Sequence, residues 1–222
     1  ILGDLNKAIE LLANTKKTRS DKRYVSLDVA YGIRARVHLT MHNYADALKD
    51  AEAALASTSS VPYSSAAVSK PTFIDIEDAS WMWGILITDK DRVSTTGICN
   101  FPSHMGSLNY GYASVGGWRR ISPKLYNQIP ESDVRKGWFL DDTGVSVNLP
   151  AAAQAYITKK GAPVYTQVKY GPMNDEWGSN NNATDVILMR VEEMYFIEAE
   201  AVAQQNPAQG VTLLLSLIHI SE

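Results

Sequence analysis

Apolar residues recur at helical spacing in the first quarter of the chain. Leu5, Ala8, Ile9 and Leu12 stand at i, i+3, i+4 and i+7, which predicts a helix over Asp4 to Ala13. Asp4 lies in its first turn, where a negative charge favours the helix dipole. Ser26 is a good N-cap for a second helix running to about Met41, with Asp28 in its first turn. The small residues Ala30, Gly32 and Ala35 let a neighbouring helix come close. His42-Asn43 breaks the pattern. A third helix follows from about Tyr44 to Ala56, with Ala47, Leu48, Ala51, Ala54 and Leu55 on one side and Asp46, Lys49, Asp50 and Glu52 on the other.

The second and third helices read as a helix-turn-helix of tetratricopeptide type, with Ala35, Tyr44, Ala47 and Ala54 at that repeat's small and aromatic positions. One such repeat cannot bury its own face, so it needs partner helices. A second strongly patterned stretch, Leu188 to Ala201, carries apolar residues around most of a helical cylinder, which suits a helix packed on more than one side. Arg190 is placed to meet Glu193 one turn on. Asn206-Pro207 closes this helix.

Between these ends the character changes. From Val61 to Asn182 helical period fades, and Gly, Pro, Ser, Asn and aromatic residues rise. Ser122-Pro123 predicts a short helix through Tyr126, with Ser122 as cap and Pro123 at the first position. Ser132 to Arg135 predicts a turn into another, and Val164 to Tyr170 alternates like a strand. A long irregular stretch of this kind is functional or disordered, and its aromatics argue against disorder.

Composition narrows the function classes. The 222 residues are 45% hydrophobic with a formal net charge of −3, as expected of a globular chain with a sizeable core. Lys and Arg are scattered, which argues against nucleic acid as a partner. The one cysteine, Cys99, excludes an internal disulfide and reads as a small buried apolar residue. His38, His42, His104 and His219 are too dispersed for a zinc set, so neither a metal nor a cofactor is expected. No apolar run is long enough to span a membrane. Ile1-Leu2-Gly3-Asp4 reads as the middle of a longer chain, and Leu215 to Glu222 resembles translated adapter sequence, so residues 211–222 are expected to be a non-native tail.

Several motifs, in order, resemble the SusD/RagB family of surface nutrient-binding lipoproteins. They are Asp4-Leu5-Asn6-Lys7-Ala8; Asn43-Tyr44-Ala45-Asp46-Ala47; Phe73-Ile74-Asp75 ahead of Trp81; Ser122-Pro123-Lys124-Leu125-Tyr126 with Asp133-Val134-Arg135; Lys169-Tyr170; and Arg190-x-x-Glu193-Met194-Tyr195-x-x-x-Ala199-Glu200-Ala201. The likeness extends to about Gly210. It departs at Ala79-Ser80-Trp81-Met82-Trp83, where the family often has a Glu before an apolar-Trp pair. The resemblance implies a mainly α fold of the α-α superhelix type, in which tetratricopeptide-like hairpins pack with a long loop-rich, aromatic-rich insert. The expected parts are a helical part at 1–60, the insert at 61–184 and the signature helix at 185–210, packing back on the helical part. It further implies a non-catalytic glycan- or oligosaccharide-binding protein of the outer membrane in a Bacteroidetes-type bacterium. Such a protein hands its ligand to a SusC-like TonB-dependent transporter and meets the membrane only through a lipid anchor absent from this stretch.

The chemistry needed for that role is an apolar ring face beside hydrogen-bonding groups, because sugars have C–H faces and hydroxyl rims. Asn109, Tyr110, Tyr112, Trp118 and Arg119 form the first candidate set, Trp81 with Trp83 the second, and Trp177 with Asn174, Asp175 and Asn180 beside it the third. Burial in the core is the competing role for each ring. Glu193 with Glu200, and Asp141-Asp142, are the carboxylate pairs that a glycoside hydrolase would need; ordinary ion pairing and turn formation compete with that role. A plain tetratricopeptide interaction module is the other alternative.

Overall fold

The structure, a computed structural model, describes residues 1–15, 18–97 and 99–218. Residues 219–222 of the expected tail, His219 among them, lie outside the described residues. In chain order the elements are α1 (Leu2–Asn14), α2 (Leu27–Thr40), α3 (Tyr44–Ser57), α4 (Ser65–Val68), β1 (Trp81–Ile85), α5 (Phe101–Met105), α6 (Pro123–Tyr126), α7 (Ala151–Lys159), β2 (Val186–Arg190), α8 (Val191–Ala203) and α9 (Pro207–Ile218). Short 3-10 turns lie at Arg92–Thr95, Ala113–Val115, Val134–Trp138 and Met173–Asp175. The fold is mainly helical. By contact the chain forms two compact units, one of residues 1–62, 79–85 and 187–220, the other of residues 63–78 and 86–186.

The helical unit packs α2 against α1, α3 and α8, with α3 also against α8 and α8 against α9. Its core is Val29, Ala35, Ala47, Ala51, Ala54, Met82, Met189, Val191, Met194 and Ile197. Ala47, Ala51 and Ala54 repeat at helical spacing and are fully buried, so α3 presents almost bare backbone and its neighbours approach closely. Gly32 serves the same end on α2. A Cβ there would stand 2.6 Å from Met189 Sδ and 3.1 Å from Met194 Sδ. Burying each large side chain of this core contributes about 1.5–3 kcal/mol.

Two arginines of α2 join these helices. Arg34 grips Asp50 of α3 through Nε (2.7 Å) and Nη2 (2.6 Å) and donates to Asn6 of α1 at 2.6 Å. Arg36 grips both carboxylate oxygens of Glu193 and donates from Nη2 to the Leu188 carbonyl of β2 at 2.7 Å. The expected Arg190–Glu193 pair does not form. Arg190 is the last residue of β2 and stands ahead of α8, and its Nε lies 3.9 Å from Glu192 instead. The reason is that Val186 to Arg190 is a strand, paired with β1, so the expected helix starts at Val191. The short apolar run Val186–Met189 suits a buried strand as well as a helix turn.

Ser26 precedes α2 as expected, but its hydroxyl donates to Asp28 rather than capping the helix. Pro207 opens α9 with Asn206 ahead of it, whose side chain accepts the Gln209 N–H at 3.2 Å. α9 therefore continues into the segment beyond Gly210, and Leu217 is buried. No helix among the described residues is long and apolar enough to cross a membrane.

The loop-rich unit has a second core of Leu108, Leu140, Ile157 and Val168. In place of a regular sheet, residues near 165–168 form isolated bridges on two sides, Arg120 with Thr166 and Phe139 with Gln167, while Tyr170 bridges Thr72. The alternation read over Val164 to Tyr170 thus appears as bridging extended chain. The Ser122 cap is present, its Oγ accepting the Leu125 N–H at 3.2 Å, and Asp133 opens the turn that follows by accepting the Arg135 N–H at 3.0 Å. Cys99, expected to be buried, is exposed, in a loop that leaves the core to Leu108 and its neighbours.

Three outcomes test the helical unit. Arg36→Ala removes three charge-assisted bonds and strands Glu193, so urea unfolding should show a loss of about 2 kcal/mol. Ala at Lys7, whose pair with Glu10 is 61% and 59% exposed, should lower stability by less than about 0.5 kcal/mol. Glu198 of α8 has a pKa raised by burial and then by the neighbouring Glu52 charge. Its contribution to stability is therefore full below the unfolded carboxyl range and is lost as pH rises through the raised folded value. Glu198→Gln should thus raise Tm more at pH 7 than at pH 4, and an equal shift at both would contradict it.

Candidate functional site

The loop-rich unit carries the solvent-facing aromatics of the first and third candidate sets, and the path of the chain explains how they come together. α5 begins at Asn100, whose Oδ1 accepts the Ser103 N–H at 2.9 Å while its Nδ2 donates to Gly97 O at 2.9 Å. After α5 the chain doubles back, and Tyr112 N–H reaches Ser103 O at 3.1 Å. The loop after residue 171 then runs alongside. Gly178 N–H donates to Leu108 O at 2.8 Å, and Tyr110 N–H donates to Ser179 O at 2.8 Å. The first and third candidate sets, 68 positions apart from Asn109 to Trp177 in sequence, thus become one neighbourhood.

The rings differ in exposure. Tyr110 is 38% exposed. Trp118 and Trp177 are half-buried, each packed on the Leu108, Leu140, Ile157, Val168 core. Tyr112 is half-buried and packs its ring on His104, centroids 4.3 Å apart. Arg119 is exposed, and its carbonyl accepts the Gln167 N–H at 2.8 Å. Asn174, Asp175 and Asn180 are exposed, the first two with left-handed φ of 55° and 56°.

Two expected contact residues are corrected by burial. Trp81 is fully buried at the start of β1, so its indole has no face for a ligand. Asn109 is 4% exposed, and its amide bonds to Asn182 rather than facing solvent. Trp83 is in the helical unit, not the loop-rich one. It is half-buried against that core and its Nε1 donates to Arg23 O at 3.2 Å.

One member of each carboxylate pair is otherwise engaged. Glu193 is held by Arg36, and Asp141 accepts from Thr143 N (2.8 Å), Thr143 Oγ1 (2.7 Å) and Val145 N (2.9 Å) in a tight turn. Asp185, 4% exposed, accepts the N–H groups of Ile76 and Ile87, both at 2.7 Å, and so ties three segments of the loop-rich unit together. Burial raises its pKa against those two bonds. His38 lies 4.0 Å from Asp46 and 3.9 Å from Asp50, and no group of three His, Cys, Asp or Glu suited to a metal occurs among the described residues.

One aromatic cluster was missed as a cluster. Phe73 packs on Tyr63 and Tyr170, centroids 5.4 Å apart in each case, and on Trp138 at 6.1 Å. Lys169 Nζ lies 5.0 Å from Tyr170, 5.2 Å from Trp138 and 5.6 Å from Phe73. Phe73 holds φ at 61°, a conformation costly for a side chain with a Cβ. This box is filled by the protein's own ammonium, which separates it from the ring-bearing face at Tyr110. Phe73 and Lys169-Tyr170 stand in two of the family-like motifs, the one sequence signal that touched it.

A helical unit of tetratricopeptide type and a loop-rich, aromatic-bearing unit together define the SusD-like fold. Comparison with solved structures bears this out. The chain is similar to a SusD-like carbohydrate binding protein from Bacteroides vulgatus, with 22% identity and a TM-score of 0.67 over 99% of this chain and 42% of that one. It is similar to a SusD superfamily protein from Bacteroides thetaiotaomicron, with 17% identity and a TM-score of 0.66 over 99% and 46%. It is also similar to surface glycan-binding protein A from Bacteroides thetaiotaomicron in complex with laminarihexaose, with 14% identity and a TM-score of 0.59 over 99% and 53%. The chain thus spans between 42% and 53% of the length of these structures. No family model and no curated protein matches it.

Gly178 is the tightest point of the loop that carries Trp177. Its φ of 82° is left-handed, and a Cβ would stand 2.4 Å from the Tyr156 ring. Gly178→Ala should destabilise the loop-rich unit by roughly 1–3 kcal/mol. Amide exchange should quicken at Gly178 and Tyr110 while α2 and α3 keep their protection.

Proposed function

We propose that this chain is part of a non-catalytic glycan-capturing protein of the bacterial cell surface. The observation that carries this is the face in which Tyr110, Trp118 and Trp177 are left partly open beside Arg119 and Asn174, in a chain with a SusD-like fold. Rings of this kind lie flat on the C–H faces of sugar residues, while the amide, guanidinium and carboxylate groups beside them meet the hydroxyls. The two indoles are anchored on a packed core, so little of their freedom is lost on binding. A structural neighbour holding laminarihexaose supports an oligosaccharide as ligand.

The mechanism is capture and release. No covalent bond to the ligand changes, and in each carboxylate pair that a hydrolase would use one member is bound up, Glu193 in an ion pair and Asp141 in a turn. A surface lipoprotein that passes its ligand to a SusC-like TonB-dependent transporter is the larger assembly we propose for it, with the helical unit as its base.

Titration calorimetry against laminarihexaose, a xyloglucan oligosaccharide and maltohexaose is the test. Tyr110→Ala and Trp118→Ala should each weaken binding of the accepted glycan about tenfold, near 1.4 kcal/mol, with Tm unchanged within a few degrees for Tyr110→Ala and lowered for Trp118→Ala, whose ring also packs on the core. Trp81→Phe, in the other unit, should leave the Kd alone. Shortened oligosaccharide in the incubation would establish a hydrolase instead, and undiminished binding in both ring variants would remove this face as the site.

A further inference from the structure

Asn109 is hidden from solvent, and its environment gives it a different task. Asn182 is 1% exposed and Asn109 is 4% exposed. Asn109 Nδ2 donates to Asn182 Oδ1, and Asn182 Nδ2 donates to Gly97 O at 3.4 Å. The Asn182 N–H donates to Ser94 O at 2.8 Å. The Asn109 carbonyl in turn accepts from Tyr156 Oη at 3.4 Å and Ser114 Oγ at 3.5 Å. Four segments of the loop-rich unit, around residues 94–97, 109–114, 156 and 182, therefore meet at Asn109 and Asn182, through their backbone groups to Ser94, Ser114 and Tyr156 and through side-chain amides in the link between the two asparagines and the one to Gly97.

The exposed ring is the next residue. Tyr110 follows Asn109, and its N–H is bonded to Ser179 O. A Cβ on Gly97, the residue whose carbonyl Asn182 holds, would lie 3.8 Å from Tyr110 Cε1. Trp177 adjoins Gly178, whose N–H is bonded to Leu108 O. No regular ladder joins the two loops. These two backbone links and the amide pair are among the bonds that fix the chain at Tyr110.

The pair is also a poor device for stability alone. Asn109 Oδ1 is buried and has no hydrogen-bond partner among the described residues, and an unmet buried acceptor costs free energy that an apolar pair of the same size avoids. What amides add is direction, because each bond fixes the angle at which the two loops cross.

We propose that the Asn109–Asn182 pair is a positioning element that sets Tyr110 at the angle a glycan ring needs; this rests on the glycan-capture function above. Neither amide touches the ligand. Their contribution is pre-organisation, and it acts through that ring.

A double-mutant cycle in the full chain tests this, with laminarihexaose, the xyloglucan oligosaccharide and maltohexaose as probes and amide exchange read in parallel. Asn182→Ala should weaken binding by about fivefold or more in the parent chain. In a Tyr110→Ala background the same change should weaken it by less than about twofold, because the ring it positions is gone. Exchange should quicken about tenfold at Tyr110 and Gly178, with α2 and α8 unchanged. Equal losses in both backgrounds would show a merely structural residue and overturn the proposal, as would exchange left unaltered. Should the parent chain bind none of the three glycans, it is the capture function that fails. Exchange at Tyr110 then decides alone whether the pair holds the ring. If Asn182→Ala does not fold, Asn109→Ser in the same cycle carries the same expectations.

Discussion

Helix α2 is the member on which the helical unit depends, and it acts through two guanidinium groups two residues apart. Arg34 and Arg36 project on different sides of the helix, as their spacing requires. One binds Asp50 and Asn6, the other Glu193 and the Leu188 carbonyl, so one helix is tied to α1, α3, α8 and β2. Planar, bidentate grips of this kind fix angle as well as distance, which a lysine at either place would not do. The alanine face of α3 and the gap at Gly32 are the packing counterpart. They let the neighbouring elements come near enough for short side chains and thioethers to fill the space. Burial supplies the bulk of the free energy, and the arginines choose the arrangement.

The loop-rich unit solves a different problem. It has little regular structure, so its buried backbone groups must find partners singly. Asp185, Asn148 and Asn182 do this by reaching across from one segment to another. Asn148, for example, donates to the carbonyls of Val68 and Val134. Short polar side chains thus take the place of a sheet ladder. The cost is that each carries local responsibility for the path of the chain, and the gain is a surface free to adopt an irregular shape. Binding surfaces are commonly built in this way, as loops on a packed core.

How much of this is legible in the sequence follows from the range of the interaction that makes each part. The three N-terminal helices come directly from period, because a helix with one apolar stripe declares itself locally. Val186–Arg190 does not, since a short apolar run carries no period of its own and only its pairing with β1 makes it a strand. Helix α7 escaped because Ala151-Ala152-Ala153 has almost no amphipathic contrast. Glu193 was assigned to Arg190, three positions away, when its partner is Arg36, 157 positions away. Nothing short of a fold brings those two residues together. The order of the family-like motifs carried the fold even so, because motif order encodes topology where single residues do not.

The aromatic residues mark the limit most clearly. Phe73, Trp138 and Tyr170 look in sequence no different from Tyr110, Trp118 and Trp177, since each set is scattered among Gly, Pro and Asn. In the fold they have opposite functions. The first set encloses Lys169, so its ring faces are already spent on a cation; the second leaves part of each face to solvent. The same quadrupole attraction that would draw a ligand is satisfied internally in one case and unsatisfied in the other. Counting aromatics therefore says where binding material lies along the chain, and only the position of one lysine and two asparagines says which rings remain available.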